Sequence, residues 1–125
     1  MSTRLPASLD QELRRFFREH RLGPSEGLRR VVHEWWAMGN FPAIEFRDDT
    51  FGRRAALRSG PEVWEVLMVW RDYGNDLEGL YDHFAGIPPE DLDQALGYYR
   101  HFPEPIDQLI EENERIARLL GEPTG

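Results

Sequence analysis

The sequence predicts a mainly α protein with a short N-terminal strand and a small β-hairpin. Three patterns in its 125 residues carry that prediction. Apolar residues recur at helical spacing through most of the chain. They alternate with charged residues over Ile44-Glu45-Phe46-Arg47, ahead of a turn-like Asp48-Asp49-Thr50-Phe51-Gly52. Alternation also marks Ser2 to Leu5, immediately before Pro6.

In that first segment Thr3 and Leu5 face one side and Ser2 and Arg4 the other. So short a strand cannot stand alone. It becomes stable when two copies pair antiparallel across a dimer axis with four helices packed behind, and its outward residues can then enter a major groove. The first helix follows, with Ser8 as its cap and Asp10 and Glu12 in the first turn. Leu9, Leu13, Phe16 and Phe17 form its apolar stripe. "GPSEG" breaks the chain, and a second helix runs from about Ser25 to Met38 with Leu28, Val31, Val32, Trp35 and Trp36 on its stripe. Gly39-Asn40 suits a C-cap, and Pro42 stops any continuation. The amides at the start of this helix are placed to meet a phosphate.

Residues 43–58 read as the hairpin, with "RRAALR" as its return strand. Pro61 sits in the first turn of a helix that reaches about Tyr73. There Val63, Val66, Leu67 and Trp70 lie on one face, and Trp64 and Met68 on another. A helix apolar around most of its girth is buried, so this one is expected at the centre of the back half. Leu77, Leu80, Tyr81 and Phe84 make the next stripe, "AGIPPED" a tight turn, and Leu92, Ala95, Leu96 and Tyr99 the stripe after it. Helix, short turn and helix make a helix-turn-helix pattern. Its second helix opens with Glu90, Asp91 and Asp93 and is expected to expose Gln94 and Tyr98. Those carboxylates would repel phosphates, which favours a protein-facing or structural role. The last helix, from about Pro105, carries Ile106, Leu109, Ile110, Ile116, Ala117 and Leu120, and residues 121–125 form a frayed tail. Large side chains dominate burial in so small a chain, so Leu5, Leu9, Trp35, Trp36, Trp64 and Trp70 are expected as core or dimer anchors.

Charge is unevenly spread. The net charge is -8, and every one of the 15 cations is arginine. Residues 1–62 hold 11 Arg against 9 Asp+Glu (net +2), and residues 63–125 hold 4 Arg against 14 Asp+Glu (net -10). A mildly basic front joined to an acidic back suggests two different partners. Arg53 and Arg54 stand close to Asp48 and Asp49 and are expected to pair within the fold.

Catalytic chemistry finds little support. With no cysteine there are no disulfides and no thiolate metal sites. His20, His33, His83 and His101 form no HExxH motif, and "HEWW" has no second histidine four residues after the first. They read as surface or capping residues, and neither metal nor cofactor is expected. No glycine loop to cradle phosphate and no nucleophile elbow is present. The acids from Glu104 to Glu114 fit the solvated face of an amphipathic helix. No apolar run reaches the ~20 residues of a membrane span, and the N-terminus lacks the apolar centre of a secretory signal. A cytoplasmic protein that is not an enzyme is expected.

Two family resemblances emerge from these motifs. "TRLPASLDQELRRFFREHRLGPSEGLRRVVHEWW" resembles the ribbon-helix-helix antitoxins and repressors in its strand, Leu-Pro junction, first helix and Ser-led second helix. The likeness implies a dimeric DNA-binding arm over residues 1–40, with Ser2 and Arg4 facing the groove and Ser25, Glu26 and Arg29 near phosphate. The strand has about four residues before Pro6, shorter than the pattern, so two side chains at most read bases. A dimerisation arm without DNA remains the other reading. Residues 44–114 resemble the small domain-of-unknown-function family 433, through the Gly-Arg-Arg hairpin, "VWEVL", "YGNDLEGL", "IPPEDLDQALGYY" and "PIDQLIEEN". That resemblance implies a homeodomain-like helical domain over residues 41–120 that partners PIN-like ribonuclease toxins. Together the two imply the antitoxin of a type II toxin–antitoxin pair: a homodimer that binds a toxin and operator DNA. Arg115, Ile116, Arg118 and Leu119 would then be the toxin-binding edge of the last helix, since such helices lie in toxin grooves. The other reading of that stripe is packing on the chain's own core or on its dimer mate. A stand-alone DNA-binding regulator and a structural dimerisation module are the remaining alternatives.

Overall fold

A computed structural model describes residues 6–49 and 52–121. The expected strand at residues 2–5, with Ser2, Arg4 and Leu5, lies outside them, as do residues 122–125 of the tail. Six helices and one two-stranded antiparallel sheet are present among the described residues, in the order α1 (Ala7–Glu19), α2 (Pro24–Asn40), β1 (Ile44–Asp49), β2 (Gly52–Leu57), α3 (Val63–Asp72), α4 (Leu77–His83), α5 (Pro89–His101) and α6 (Pro103–Leu119). The mainly helical class with a small hairpin is therefore correct. Contacts divide the chain into two units, Met1–Trp36 and Ala37–Gly125.

In the first unit, α1 begins one residue before its expected cap. The amide of Asp10 donates to the Pro6 carbonyl at 2.9 Å, so Pro6 flanks the helix and Ser8 falls inside it, exposed and capping nothing. Arg14 pairs with Asp10 at 2.9 Å and Arg15 with Glu12 at 3.1 Å on the solvent side. The chain leaves α1 through Arg21, held at φ 55°, and the amide of Leu22 returns to the Phe17 carbonyl at 2.7 Å. Phe17 is the buried residue of α1. It packs against Gly27 so closely that a Cβ there would lie 2.4 Å from its ring. A glycine on α2 is thus what admits the Phe17 ring to the α1–α2 seam.

Helix α2 runs past its expected end. The Phe41 amide donates to the Ala37 carbonyl at 2.7 Å, so Gly39 and Asn40 are helical rather than a cap. Phe41 is the last residue before Pro42 that has an amide to give.

The second unit is organised on the hairpin and α3. Register runs from Ile44 opposite Leu57 to Asp49 opposite Gly52. Ile44, Ala55, Ala56 and Leu57 are buried. Arg53 pairs with Asp48 at 3.2 Å, and Arg54 with Asp49 at 3.3 Å and Glu62 at 3.6 Å, as their spacing implies. Helix α3 starts at Val63, two residues after Pro61. The Pro61 carbonyl is held by the Leu57 amide at 2.8 Å, and the Glu62 amide is satisfied by Glu65 at 3.2 Å. Val63, Val66 and Leu67 are fully buried, and α3 packs on α4, α5, α6 and β2. It is the central helix of this unit. Asp76 caps α4 by accepting from the Gly79 amide at 3.1 Å. Leu92, Ala95 and Leu96 of α5 and Ile106 and Ile110 of α6 complete the core.

Helix α5 departs from expectation on its outward face. Tyr98 is buried, not exposed, because Phe41, Phe46 and Phe102 surround it with ring centroids 6.2, 6.1 and 5.1 Å away. Gln94 is half-buried, and its side-chain oxygen accepts from the Ala43 amide at 2.7 Å, which satisfies the backbone ahead of β1.

A polar staple fastens three helices at one point. Arg71 of α3 donates to the Tyr99 hydroxyl at 2.7 Å and to Asp107 at 2.8 Å, and Tyr99 of α5 donates to Asp107 of α6 at 2.8 Å. The guanidinium also lies over the Tyr99 ring at 5.4 Å. Partial burial pushes the Asp107 carboxyl up, but the hydrogen bonds from Arg71 and Tyr99 and the guanidinium charge outweigh it and hold it below its ordinary value. The unfolded chain therefore takes up this proton first as pH falls. The staple's contribution is complete above the ordinary carboxylate range and is lost as pH drops through the lowered folded value. In urea titrations from pH 7 to pH 3, Asp107→Asn is expected to be less stable than the parent at neutral pH, with the gap narrowing in acid. A gap of constant size would show that the charge of Asp107 plays no part.

Candidate functional site

A surface groove of about 450 Å³ lies where the hairpin, α3 and α6 meet. Trp64 of α3 supplies one apolar wall, and Leu109 and Ile116 of α6 supply the other. Asn113 sits between them, with its side-chain amide 3.7 Å from the Met68 sulfur. Asp49, Arg54 and Glu112 make a charged margin. Arg54 is held there by Asp49 and Glu62, so this cation is already neutralised within the fold. The indole N–H groups of Trp64 and Trp70 are buried and have no hydrogen-bond partner among the described residues.

The groove opens onto the free end of α6. Ile106 and Ile110 enter the core, whereas Ile116 is 47%, Leu119 80% and Leu120 70% exposed. The helix therefore changes role near Asn113: its first half is core and its last turns are apolar surface. Of the expected toxin-binding residues, Ile116 lines the groove, and Arg115, Arg118 and Leu119 stand exposed on the same last turns. Arg115 is already paired with Glu112, one turn back. That carboxylate holds the Arg115 guanidinium pKa above its ordinary value, while its own falls, chiefly through the same hydrogen bond. Leu109, Asn113, Asp49 and Arg54 were not expected here. The hint in the sequence was Trp64, which lies off the main buried face of α3.

The expected DNA-contacting residues are brought together only in part. Ser25, Glu26 and Arg29 are exposed in the first turns of α2, while Ser2 and Arg4 lie outside the described residues. Glu26 places a carboxylate in the first turn, where it competes with any phosphate for the helix amides.

The expected anchors divide. Trp36, Trp64 and Trp70 are half-buried. Trp35 is 73% and Leu9 46% exposed, so neither is a core anchor of the single chain. Trp35 lies with Leu28 and Val32 on the exposed side of α2, whose buried residues are Gly27, Glu34 and Ala37.

Two histidines, His20 and His101, stand at helix C-termini, whereas His33 is half-buried in the middle of α2. The Nδ1–H of His20 donates to the Phe16 carbonyl at 2.9 Å and that of His101 to the Gly97 carbonyl at 3.1 Å. Among the described residues no three His, Cys, Asp or Glu side chains gather as a metal site would require, and no helix is long and apolar enough to cross a membrane. The groove is apolar between charged margins. Comparison of the chain with protein-family models, curated proteins and solved structures returns no match.

Proposed function

We propose that this chain is the antitoxin of a type II toxin–antitoxin pair. It acts as a homodimer in the cytoplasm, holds a PIN-like ribonuclease through its back half, binds operator DNA through its front arm and so represses its own transcription. One observation carries this reading: the apolar end of α6, with Ile116, Leu119 and Leu120 uncovered, is continuous with the groove walled by Trp64 and Leu109. A helix end of this kind is a ready anchor for a partner's groove. The net charge of -10 over residues 63–125 suits the basic surface expected of an RNA-degrading partner. Arg115 is exposed and can exchange Glu112 for an acid of the toxin at small cost.

The test is co-expression with the product of the adjoining gene, followed by size-exclusion chromatography and an RNA-cleavage assay. The parent co-elutes with the ribonuclease and silences it, and Ile116→Asp with Leu119→Asp releases it while the helical circular-dichroism signal stays. A band-shift at low salt on DNA upstream of the coding sequence addresses the front arm, with Arg4→Ala as the variant. DNA binding without a ribonuclease partner would point to a stand-alone regulator. Failure of both assays leaves a dimerisation module, the reading that the uncovered stripe of α2 favours.

A further inference from the structure

We propose that the groove between Trp64 and α6 receives an arginine side chain of a partner protein, with its stem along the apolar walls and its guanidinium between Asp49 and Glu112. The proposal rests on the reading of the back half as a partner-binding surface and names the residue that the partner contributes.

The walls suit a long aliphatic stem. Trp64 stands on one side and Leu109 and Ile116 on the other, around a space of about 450 Å³. Trp64 is half-buried, and its indole N–H is inaccessible and without a partner among the described residues. The part of the ring left to the groove is therefore carbon. An arginine covers such a surface with its methylenes while its head stays at the wet margin. Its flat guanidinium also stacks on aromatic rings.

The margin selects a cation. Asp49 and Glu112 are exposed carboxylates on it. Asn113 adds a third acceptor: its side-chain nitrogen is turned to the Met68 sulfur at 3.7 Å, which leaves the amide oxygen to accept. Arg54 also lines the groove, but it is shared between Asp49 at 3.3 Å and Glu62 at 3.6 Å. Two carboxylates face that one guanidinium, so a negative charge is left over on the hairpin side. On the α6 side Glu112 is paired with Arg115, and both are exposed. Exposed pairs of this kind exchange partners readily. When Arg115 turns to an acid of the partner, Glu112 is released to the incoming arginine, and one ion pair becomes two. A glutamate in the groove would meet like charge, and a plain apolar side chain would leave the carboxylates unused. The forked guanidinium can bond two acceptors at once, which the point charge of lysine does less well.

Peptides of the form acetyl-Ala-Ala-Xaa-Ala-Ala-amide test the claim on the full chain. The readout is the indole N–H signal of Trp64, assigned with Trp64→Phe, and the side-chain amide signal of Asn113 in heteronuclear NMR spectra. With arginine at Xaa both signals move and saturate. Citrulline keeps the stem and shape without the charge and should bind about tenfold more weakly or worse. Glutamate should leave both signals in place. Glu112→Gln, at an exposed position that the core does not use, should weaken the arginine peptide about fivefold or more, and Asp49→Asn likewise. Arg115→Ala, which releases Glu112, should strengthen it about twofold or more. Equal binding of arginine and citrulline, a preference for glutamate, or indifference to both carboxylate substitutions would overturn the proposal. So would an absence of any shift up to about 20 mM arginine peptide. The assay contains no ribonuclease, so the two claims fail separately. A ribonuclease that co-elutes while the arginine peptide leaves the groove untouched sinks this proposal alone. An arginine peptide that binds while no ribonuclease co-elutes sinks the antitoxin reading alone.

Discussion

Leu67→Ala is expected to lower the unfolding free energy of the second unit by about 2–5 kcal/mol. Leu67 has no exposed surface and stands on α3 between Val63 and Val66 on one side and the turn that leads to Arg71 on the other. Its helix packs on α4, α5, α6 and β2, so no neighbour can move into the space without leaving another contact. The loss then includes the transfer term of the missing atoms and the cavity they leave. Domains are stable by only about 5–15 kcal/mol, so a shift of this size moves the urea midpoint strongly while the slope stays unchanged. Leu119→Ala is the matched control. It deletes the same atoms from a side chain that is 80% exposed and should change stability by about 0.5 kcal/mol or less. Leu67→Met keeps the volume and should cost under about 1.5 kcal/mol. Equal destabilisation by the two alanine substitutions would mean that α3 is not the centre of the unit.

The place of α3 was legible because the information is local. A helix with apolar residues on several faces must be covered on several faces, and Val63, Val66 and Leu67 carry that message without reference to the rest of the chain. The hairpin was legible for the same reason: alternation, a turn, and Arg53 and Arg54 a few residues from the acids they meet. Ser8 was misread because a proline carbonyl can open a helix as well as a side chain can cap it. Gly39-Asn40 was misread because Pro42 sets the limit and the backbone ladder continues until the last available amide. Trp35 exposes a deeper limit. Spacing identifies which face of α2 is apolar, but a stripe is equally apolar whether its own chain or another molecule covers it. The groove at Trp64 was invisible for a related reason. Its walls come from α3 and α6, with Asp49 and Arg54 of the hairpin at its margin, and no local pattern brings residue 64 beside residues 109 and 116.

Tyr98→Ala is the second large effect, and it bears directly on the role of α5. On helical spacing Tyr99 belongs with Leu92, Ala95 and Leu96, which leaves Tyr98 on the outside. Tyr98 is in fact 3% exposed, and Tyr99 is the half-buried one, held by Arg71 and Asp107. The reversal comes from residues distant in sequence. Phe41, between α2 and β1, meets Tyr98 edge-on with an interplanar angle of 79°, and Phe46 of β1 does so at 65°. Phe41 also presses on Gly97, where an added Cβ would lie 2.9 Å from its ring. Tyr98 is thus the ring through which the hairpin side and α5 are joined. Truncating it removes a large buried surface and at least two edge-on ring contacts, each worth about 0.5–1.5 kcal/mol beyond area. The loss should approach the ~3–5 kcal/mol of other buried aromatic truncations. For a unit of this size that corresponds to a fall in Tm of roughly 12 °C or more. A Tyr98 on an outward recognition face would behave in the opposite way: Tm would hold, and only binding to DNA or a partner would weaken. A melting curve for Tyr98→Ala beside a binding isotherm separates the two, and an unchanged Tm would return α5 to the surface role that its spacing suggested.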